Sequence, residues 1–298
     1  MLTTVGGRAV VSSERLRGGS KKGVYRLALD DGTSCVAYLW GPDEDYWPAT
    51  ETATDDPFGH ASGLALFQAA HRTLSGIGVR VPKLLDIDEG RAIVEDVRGG
   101  SLEALARSDP ARADAVTTRL AEMVRMMHRV RSDHYGRPGA RLSAPAEDVV
   151  LHRATADLAD AAARVERIAA VATDVADLLR QRRAAVPPRA SYGLIHGELG
   201  PDHVLIDDRG EPVMVDIEGV MWFDTEWEHV FLALRFGDRY RHFHADDLDE
   251  SRVRLYRPAL SLSLVAGPLR LLDGTFPDRA GMLEIVAHNT ERVLAELR

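Results

Sequence analysis

Apolar residues change their spacing twice along this chain. Up to about residue 97 they come in short runs broken by turns. Residues 26–29, the turn DDGT at 30–33 and residues 34–40 read as a β-hairpin, because an Asp-Gly step between β-branched and aromatic runs supplies turn geometry. A helix is predicted over 63–74, ending before GIG, and Pro82 then bars helical geometry to its predecessor. AIVEDV at 92–97 reads as a short strand that runs into the turn GGS. RGGSKKG at 17–23 is Gly-rich, cationic and expected to be flexible, and the polar stretch 43–57 reads as a loop with YWP at 46–48 as its packed anchor.

From Ser101 to about Val186 the spacing becomes helical, with Leu120, Val124 and Met127 on one face and Ile168, Val171, Val175 and Leu178 on another. Strand-like runs return at 192–195, 204–206 and 212–217, with DDRG at 207–210 as the turn between the last two. Beyond Asp224 the pattern is helical again, closing with residues 285–297. This order predicts an α+β, two-lobed fold. Residues 1–97 form a small β-rich lobe with one helix, and residues 98–298 form a larger, mainly helical lobe whose β-hairpin faces the cleft.

Composition narrows the function classes. A chain of 298 residues, 45% of them apolar, is long enough for one large domain or two lobes with ample core. The net charge is −9 and no basic stripe extends beyond RLRGGSKK, which argues against a nucleic-acid partner. No apolar run approaches the roughly 18 residues of a membrane helix, so no membrane partner is expected. The first residues lack a basic stretch followed by an apolar segment, so no targeting sequence is expected either. Cys35 is the only cysteine and sits in the apolar run CVAYLW, which excludes an intrachain disulfide and a cysteine zinc site. A cytoplasmic location follows as the expectation.

The candidate chemistry lies in LIHGELGPDHVLIDD at 194–208 and VDIEG at 215–219, where apolar runs end beside His and carboxylate residues. Phosphoryl transfer asks little covalent chemistry of a protein: it must place a hydroxyl, hold a metal ion on the phosphates and neutralise developing charge. One carboxylate near the hydroxyl and two metal ligands suffice. Asp216 inside an apolar run favours a ligand role, because burying an unpartnered carboxylate is expensive. Asp202, Asp207 and Asp208 read as turn residues.

His196, Gly197, an acid at 198, Leu199, Pro201, a ligand-type residue at 203 and Asp216 thirteen positions further on resemble the aminoglycoside and macrolide phosphotransferase family, a branch of the protein-kinase-like fold. The family pattern is His-Gly-Asp, four residues, Asn, then Asp, and the spacing here has no insertion or deletion. VEDVRGGSLEAL at 94–105 resembles the connector between lobes and its Gly-Gly-Ser-Leu turn. FDTEWEHVFL at 223–232 resembles the acidic segment after the metal-binding strand, and MMHRV at 126–130 the helix beneath the catalytic loop. The resemblance implies ATP or GTP as donor, Mg²⁺ as cofactor, and a small-molecule hydroxyl acceptor such as an antibiotic or related natural product.

Carried over by position, it makes Glu198 and Asp216 catalytic and His203 and Asp216 metal ligands. It assigns nucleotide binding to Gly18, Gly19, Ser20, Lys21 and Lys22 of the Gly-rich turn and to Glu95 and Val97 of the connector. His196, Glu218, Asp224 and Glu228 become substrate contacts or supports, with His196 structural. The acidic residues at 224, 226 and 228, with those at 246, 247, 249 and 250, are by default a solvated face; lining the cleft, they would favour a cationic acceptor by electrostatic focusing.

Departures from the pattern are as informative. Glu198 adds a methylene to the expected Asp, enough to move a carboxylate by about 1 Å, and such a misplacement can cost roughly a hundredfold. His203 in place of Asn is milder, since the resemblance extends to macrolide phosphotransferases, which carry His there. More serious, kinases of this fold pair a strand Lys with a helix Glu to grip the phosphates. Here CVAYLW has no Lys and GLALFQAAHRTL no Glu, with Gln68 or His71 nearest the expected place. Since Lys21, Lys22 and Lys83 are the only lysines, Lys21 or Lys22 is expected to reach the phosphates instead. Three functions stay open: a kinase of antibiotics or natural products, a nucleotide-binding module without turnover, and a metabolite kinase for choline, homoserine or a sugar. The retained metal-binding spacing favours an enzyme.

Overall fold

Alternation along the first strands divides their side chains between two layers. In the computed structural model, which describes residues 3–16, 18–47, 56–59, 61–142 and 144–298, strands β1 (Thr4–Val5), β2 (Arg8–Arg15), β3 (Gly23–Leu29), β4 (Ser34–Leu39), β5 (Leu84–Asp88) and β6 (Arg91–Glu95) form one antiparallel sheet, ordered β1-β2-β3-β4-β6-β5. Cys35 and Ala37 pack on one side with Leu27, Leu29 and Ile93. Val36, Tyr38, Ala92 and Val94 pack on the other, against helix α1 (Leu64–Gly76). The period of two in β4 and β6 meets the stripe Phe67, Ala70, Leu74 of α1, so each element hides the face the other needs covered. The readings at Arg17, at Pro48 and over most of the 43–57 loop lie outside the described residues.

The chain then runs through α2 (Leu102–Ser108), α3 (Pro110–Arg129), β7 (Arg131–Ser132), α4 (Ala146–Ala162), α5 (Glu166–Ala169) and α6 (Ala172–Ala184). Next come β8 (Tyr192–Ile195), β9 (Val204–Ile206), β10 (Pro212–Met214), β11 (Met221–Phe223), α7 (Thr225–Phe236), α8 (Glu250–Leu272) and α9 (Arg279–Ala295). β9 and β10 form a hairpin, and β7, β8 and β11 a second small sheet. One core runs without a break from β4, β6 and α1 through α2 and α3 to β9 and β10. A second joins α4, α6, α8 and α9. The hairpin is tied to the N-terminal part by the backbone: Met214 N donates to Arg80 O at 2.9 Å and Gly99 N to Ile206 O at 3.0 Å. A Cβ on Gly99 would stand 2.3 Å from Ile206 O, which explains the glycine in the GGS turn.

Two expectations need correction, and two short strands were not expected. The strand expected over 212–217 stops at Met214, because Asp216 turns left-handed and residues 217–219 wind into a 3₁₀ turn. The helical stripe through Leu178 runs instead through Leu179. Val171 is the N-cap of α6, and this break after α5 resets the helical phase. β7 and β11 are too short to show a period. Among the described residues, no helix is long and apolar enough to cross a membrane.

Candidate active site

The site hangs from the end of β8. All four β8 residues are buried, and the strand delivers His196 and Gly197 to a loop that leads through Pro201–His203 into β9. Glu228, in the first turn of α7, holds that loop: one carboxylate oxygen accepts His196 N at 2.6 Å and Gly197 N at 3.0 Å. Burial pushes the Glu228 carboxyl up to about 7, against the pull of the Gly197, His196 and Leu199 amides.

His196 is 1% exposed, and its Nε2 lies 3.1 Å from Val215 O. Burial pulls its pKa down to about 4, so at neutral pH it is an uncharged brace that donates to a carbonyl, in line with the structural role expected of it. Its ring stacks on His203, centroids 6.0 Å apart. His203 Nδ1 sits 2.8 Å from Glu198 O; a carbonyl only accepts, so Nδ1 carries a hydrogen and donates it. Nε2 then faces Asp216 Oδ2 at 3.7 Å and Asp202 Oδ2 at 3.6 Å. Asp202 also accepts from Arg235 at 2.8 Å, so it is tied into an ion pair as well as a turn.

Asp216 is the sole non-glycine with positive φ among the described residues, at φ 58° and ψ 47°. The left-handed conformation costs a residue with a Cβ roughly 1–2 kcal/mol, and such strain gathers where a side chain must be aimed. Its side chain is 42% exposed. Asp216 is thus not the buried strand carboxylate expected; it lies beyond the end of β10 and keeps its side chain partly exposed.

Lys22 reaches across from the N-terminal part. Its Nζ stands 2.8 Å from Asp216 Oδ1 and 2.6 Å from Glu218 Oε1, and 5.3 Å from the centre of the Tyr38 ring. The residue is 5% exposed. Burial works to discharge it, but the Asp216 and Glu218 carboxylates outweigh that and hold it charged well above the usual lysine range. Lys22 in turn is the chief reason the Asp216 carboxyl lies far below its ordinary value.

The Gly-rich turn is therefore not a loose loop. Gly19, at φ 80°, lets it fold back so closely that a Cβ would sit 2.8 Å from Lys22 O. Trp47 Nε1 donates to Ser20 Oγ at 2.9 Å and Tyr46 N to Ser20 O at 2.9 Å, so both residues anchor the turn, and Ser62 Oγ donates to Lys21 O at 2.9 Å. Gly18 shares the turn at φ 94°. Lys21 Nζ lies 5.8 Å from the Trp47 ring, and its charge is the first cause holding the Glu198 carboxyl below the usual range. Glu198 itself is exposed.

Lys21, Lys22, Glu198, His203, Asp216 and Glu218 are thereby brought together. Other sequence candidates are not. Glu95 turns to Arg80, at 2.8 Å, and accepts Lys83 N at 3.0 Å, while its own amide donates to Lys83 O; Val97 is buried. Asp224, Glu226 and Glu228 are neither a solvated face nor a cleft lining. Asp224 is fully buried against Arg252, Tyr256 and Arg189, and Glu226 is paired with Arg189 at 2.5 Å. Burial pushes the Asp224 carboxyl up, yet three partners answer its charge. Asp246, Asp247 and Glu250 stay exposed, as expected of a solvated face.

The Arg189–Arg252–Tyr256 network escaped the sequence reading. Its single local signal is Arg252 four residues before Tyr256 on α8, with Nη1 to OH at 3.3 Å. Arg137, whose charge also bears on Glu198, left no sequence signal.

A family model described as the phosphotransferase enzyme family matches residues 36–259. The spectinomycin phosphotransferase APH(9)-Ia, solved with ADP and spectinomycin, superposes with a TM-score of 0.66 at 11% identity, covering 97% of this chain and 94% of that one. An apo thermostable mutant of the aminoglycoside phosphotransferase APH(4)-Ia gives 0.63 at 17% identity, with 97% and 95% covered. Choline kinase LicA from Streptococcus pneumoniae gives 0.63 at 14% identity, with 97% and 93% covered. A search of curated protein sequences finds no match. These likenesses establish the kinase-like fold, and the family match spans most of the chain. The chain belongs to the phosphotransferase enzyme family, small-molecule kinases that use a nucleotide to phosphorylate hydroxyl groups.

Proposed function

We propose that the chain transfers the γ-phosphate of ATP or GTP to a hydroxyl of an antibiotic or related natural product, with Glu198, His203 and Asp216 as its working residues. The observation that carries the reading is the pairing of Asp216 Oδ2 with His203 Nε2 at 3.7 Å, on a loop that also presents Glu198. Among the described residues, no cluster of three or more His, Cys, Asp or Glu side chains forms a metal cage. Mg²⁺ does not ask for one. It is usually held by one or two protein ligands, with water and substrate phosphates completing its shell, which suits the Asp216 carboxylate; His203 beside it would be a weaker nitrogen donor to this hard ion. When bound, the ion would neutralise charge on the phosphates.

In this reading Glu198 accepts the proton of the acceptor hydroxyl as its oxygen bonds to the γ-phosphorus, and the bond from that phosphorus to the bridging oxygen breaks to release ADP or GDP. Lys21 favours the ionised Glu198 carboxylate for this task. Residues 1–97 serve as the nucleotide-side lobe and 98–298 as the lobe with the catalytic loop and acceptor site, in a cytoplasmic protein.

The test incubates the chain with Mg²⁺ and ATP or GTP and a panel of aminoglycosides, macrolides, nucleoside antibiotics and simple metabolites, and seeks by mass spectrometry a product heavier by one phosphate. Glu198→Gln should lower turnover by about 10²–10⁴-fold with little change in nucleotide affinity. Metal-dependent nucleotide binding with no product anywhere in the panel would establish the non-turning-over module instead.

A further inference from the structure

We propose that Lys22 and Glu218 together replace the strand lysine and helix glutamate that this chain lacks, so that the cation gripping the nucleotide phosphates comes from the Gly-rich turn and its orienting carboxylate from the metal-binding loop. The inference rests on the kinase reading above and assigns to this pair a phosphate-positioning role within it.

Three observations carry it. First, the space where a strand–helix ion pair would lie is apolar and full: Tyr38 and Trp40 of the β4 edge each stand 5.5 Å from Phe67 of α1, ring centre to ring centre. His71, one turn further along α1, packs on Phe67 and turns its Nε2 to Pro82 O at 3.0 Å. His71, one of the two α1 residues nearest the expected glutamate, is therefore not placed to hold a lysine. Second, Lys22 immediately precedes β3, the strand beside β4, and its ammonium lies over the Tyr38 ring, entering the same region from the neighbouring strand. Third, α1 packs on the 217–219 turn. Glu218 rises from that turn beneath the helix whose glutamate is missing. It is 5% exposed, with Oε1 on Lys22 and Oε2 buried with no hydrogen-bond partner.

A buried carboxylate that has one polar contact, and spends it on a lysine from the other half of the molecule, orients that lysine. Lys22 also touches Asp216 Oδ1, so it holds two carboxylates that would otherwise repel each other. When a phosphate oxygen takes the place of Asp216 Oδ1 on the ammonium, Glu218 remains as the tether that holds Lys22 in position.

The experiment measures binding of ATP in the presence of a chelator, by calorimetry, for the unsubstituted chain, Lys22→Met and the double variant Lys22→Met/Glu218→Gln, with a melting temperature for each. Metal-free binding isolates the lysine from the metal ligands. Lys22→Met leaves two carboxylates facing each other and is expected to melt lower; the double variant is expected to recover that loss, because the uncompensated buried charge is gone. ATP affinity is expected to fall about tenfold or more in both variants and to stay low in the double. A double variant that melts like the parent and binds ATP as the parent does would overturn the proposal, reducing Lys22 to a charge neutraliser. Failure of the unsubstituted chain to bind ATP even with Mg²⁺ would instead overturn the kinase reading, and this inference with it.

Discussion

Two clusters of acidic residues stand a few positions apart in the sequence and meet opposite fates. Asp216 and Glu218 receive their cation, Lys22, from a turn nearly two hundred residues away, and Asp216 keeps its carboxylate 42% exposed. Asp224 and Glu226 receive theirs, Arg189 and Arg252, from segments of the same helical half, and both carboxylates disappear from the surface. One set keeps an exposed carboxylate and a cation drawn from a distant part of the chain; the other is sealed by its neighbours. A cluster of charge is a site when some of its partners can be exchanged, and a strut when none can.

Substitutions can break or sharpen this contrast. The largest effect is expected at Asp216: Asp216→Asn should reduce transfer by about 10³-fold or more while the circular dichroism spectrum is unchanged, because its carboxylate works in the cleft and not in the core. Unaltered activity would move Asp216 to the strut class. Arg252→Met should do the reverse. Breaking a buried pair strands Asp224 and should cost about 3–5 kcal/mol in a denaturant titration, and adding Asp224→Asn should recover part of it.

Glu228 tests the contrast through pH. Its carboxyl titrates near 7 when folded, raised above the unfolded value, so the folded chain binds the extra proton between those values. This group therefore contributes stability below the unfolded pKa that is lost as pH rises through about 7, on the order of 3 kcal/mol. Glu228→Gln keeps an oxygen for the His196 and Gly197 amides and removes the titration. The difference in melting temperature, variant minus parent, should rise between pH 5 and pH 8; a flat difference would mean that the loop amides hold Glu228 ionised throughout. His196, pulled down to about 4, works in the opposite direction in both proteins and cancels in the difference. Smallest of all is Arg107→Ala, since the Arg107–Glu103 pair is exposed on α2 and should contribute less than about 0.5 kcal/mol to the melting transition.

Much of this was legible in the sequence. The helical period placed α1, short apolar runs bounded by turns placed β3, β4, β8 and β9, and the family spacing marked Glu198, His203 and Asp216. Asp216 was nonetheless expected inside a strand, since VMVDI has apolar neighbours that mask a backbone reversal at one residue. Asp224 and Glu228 looked like a solvated acidic face, since their cations, Arg189 and Arg252, and the amides that Glu228 holds lie far away along the chain. Lys21 and Lys22 were indistinguishable in a Gly-rich turn. Only the fold sends one toward Glu198 and buries the other between two carboxylates.

What the sequence determined by itself was the order of elements, the two-part layout and the identity of the chemical groups, because periodicity and motif spacing are local properties that survive without knowing what packs on what. What only the tertiary structure decided was which charges neutralise one another. Ion pairs depend on distances of a few ångströms between residues separated by as many as 194 positions, and nothing local records them.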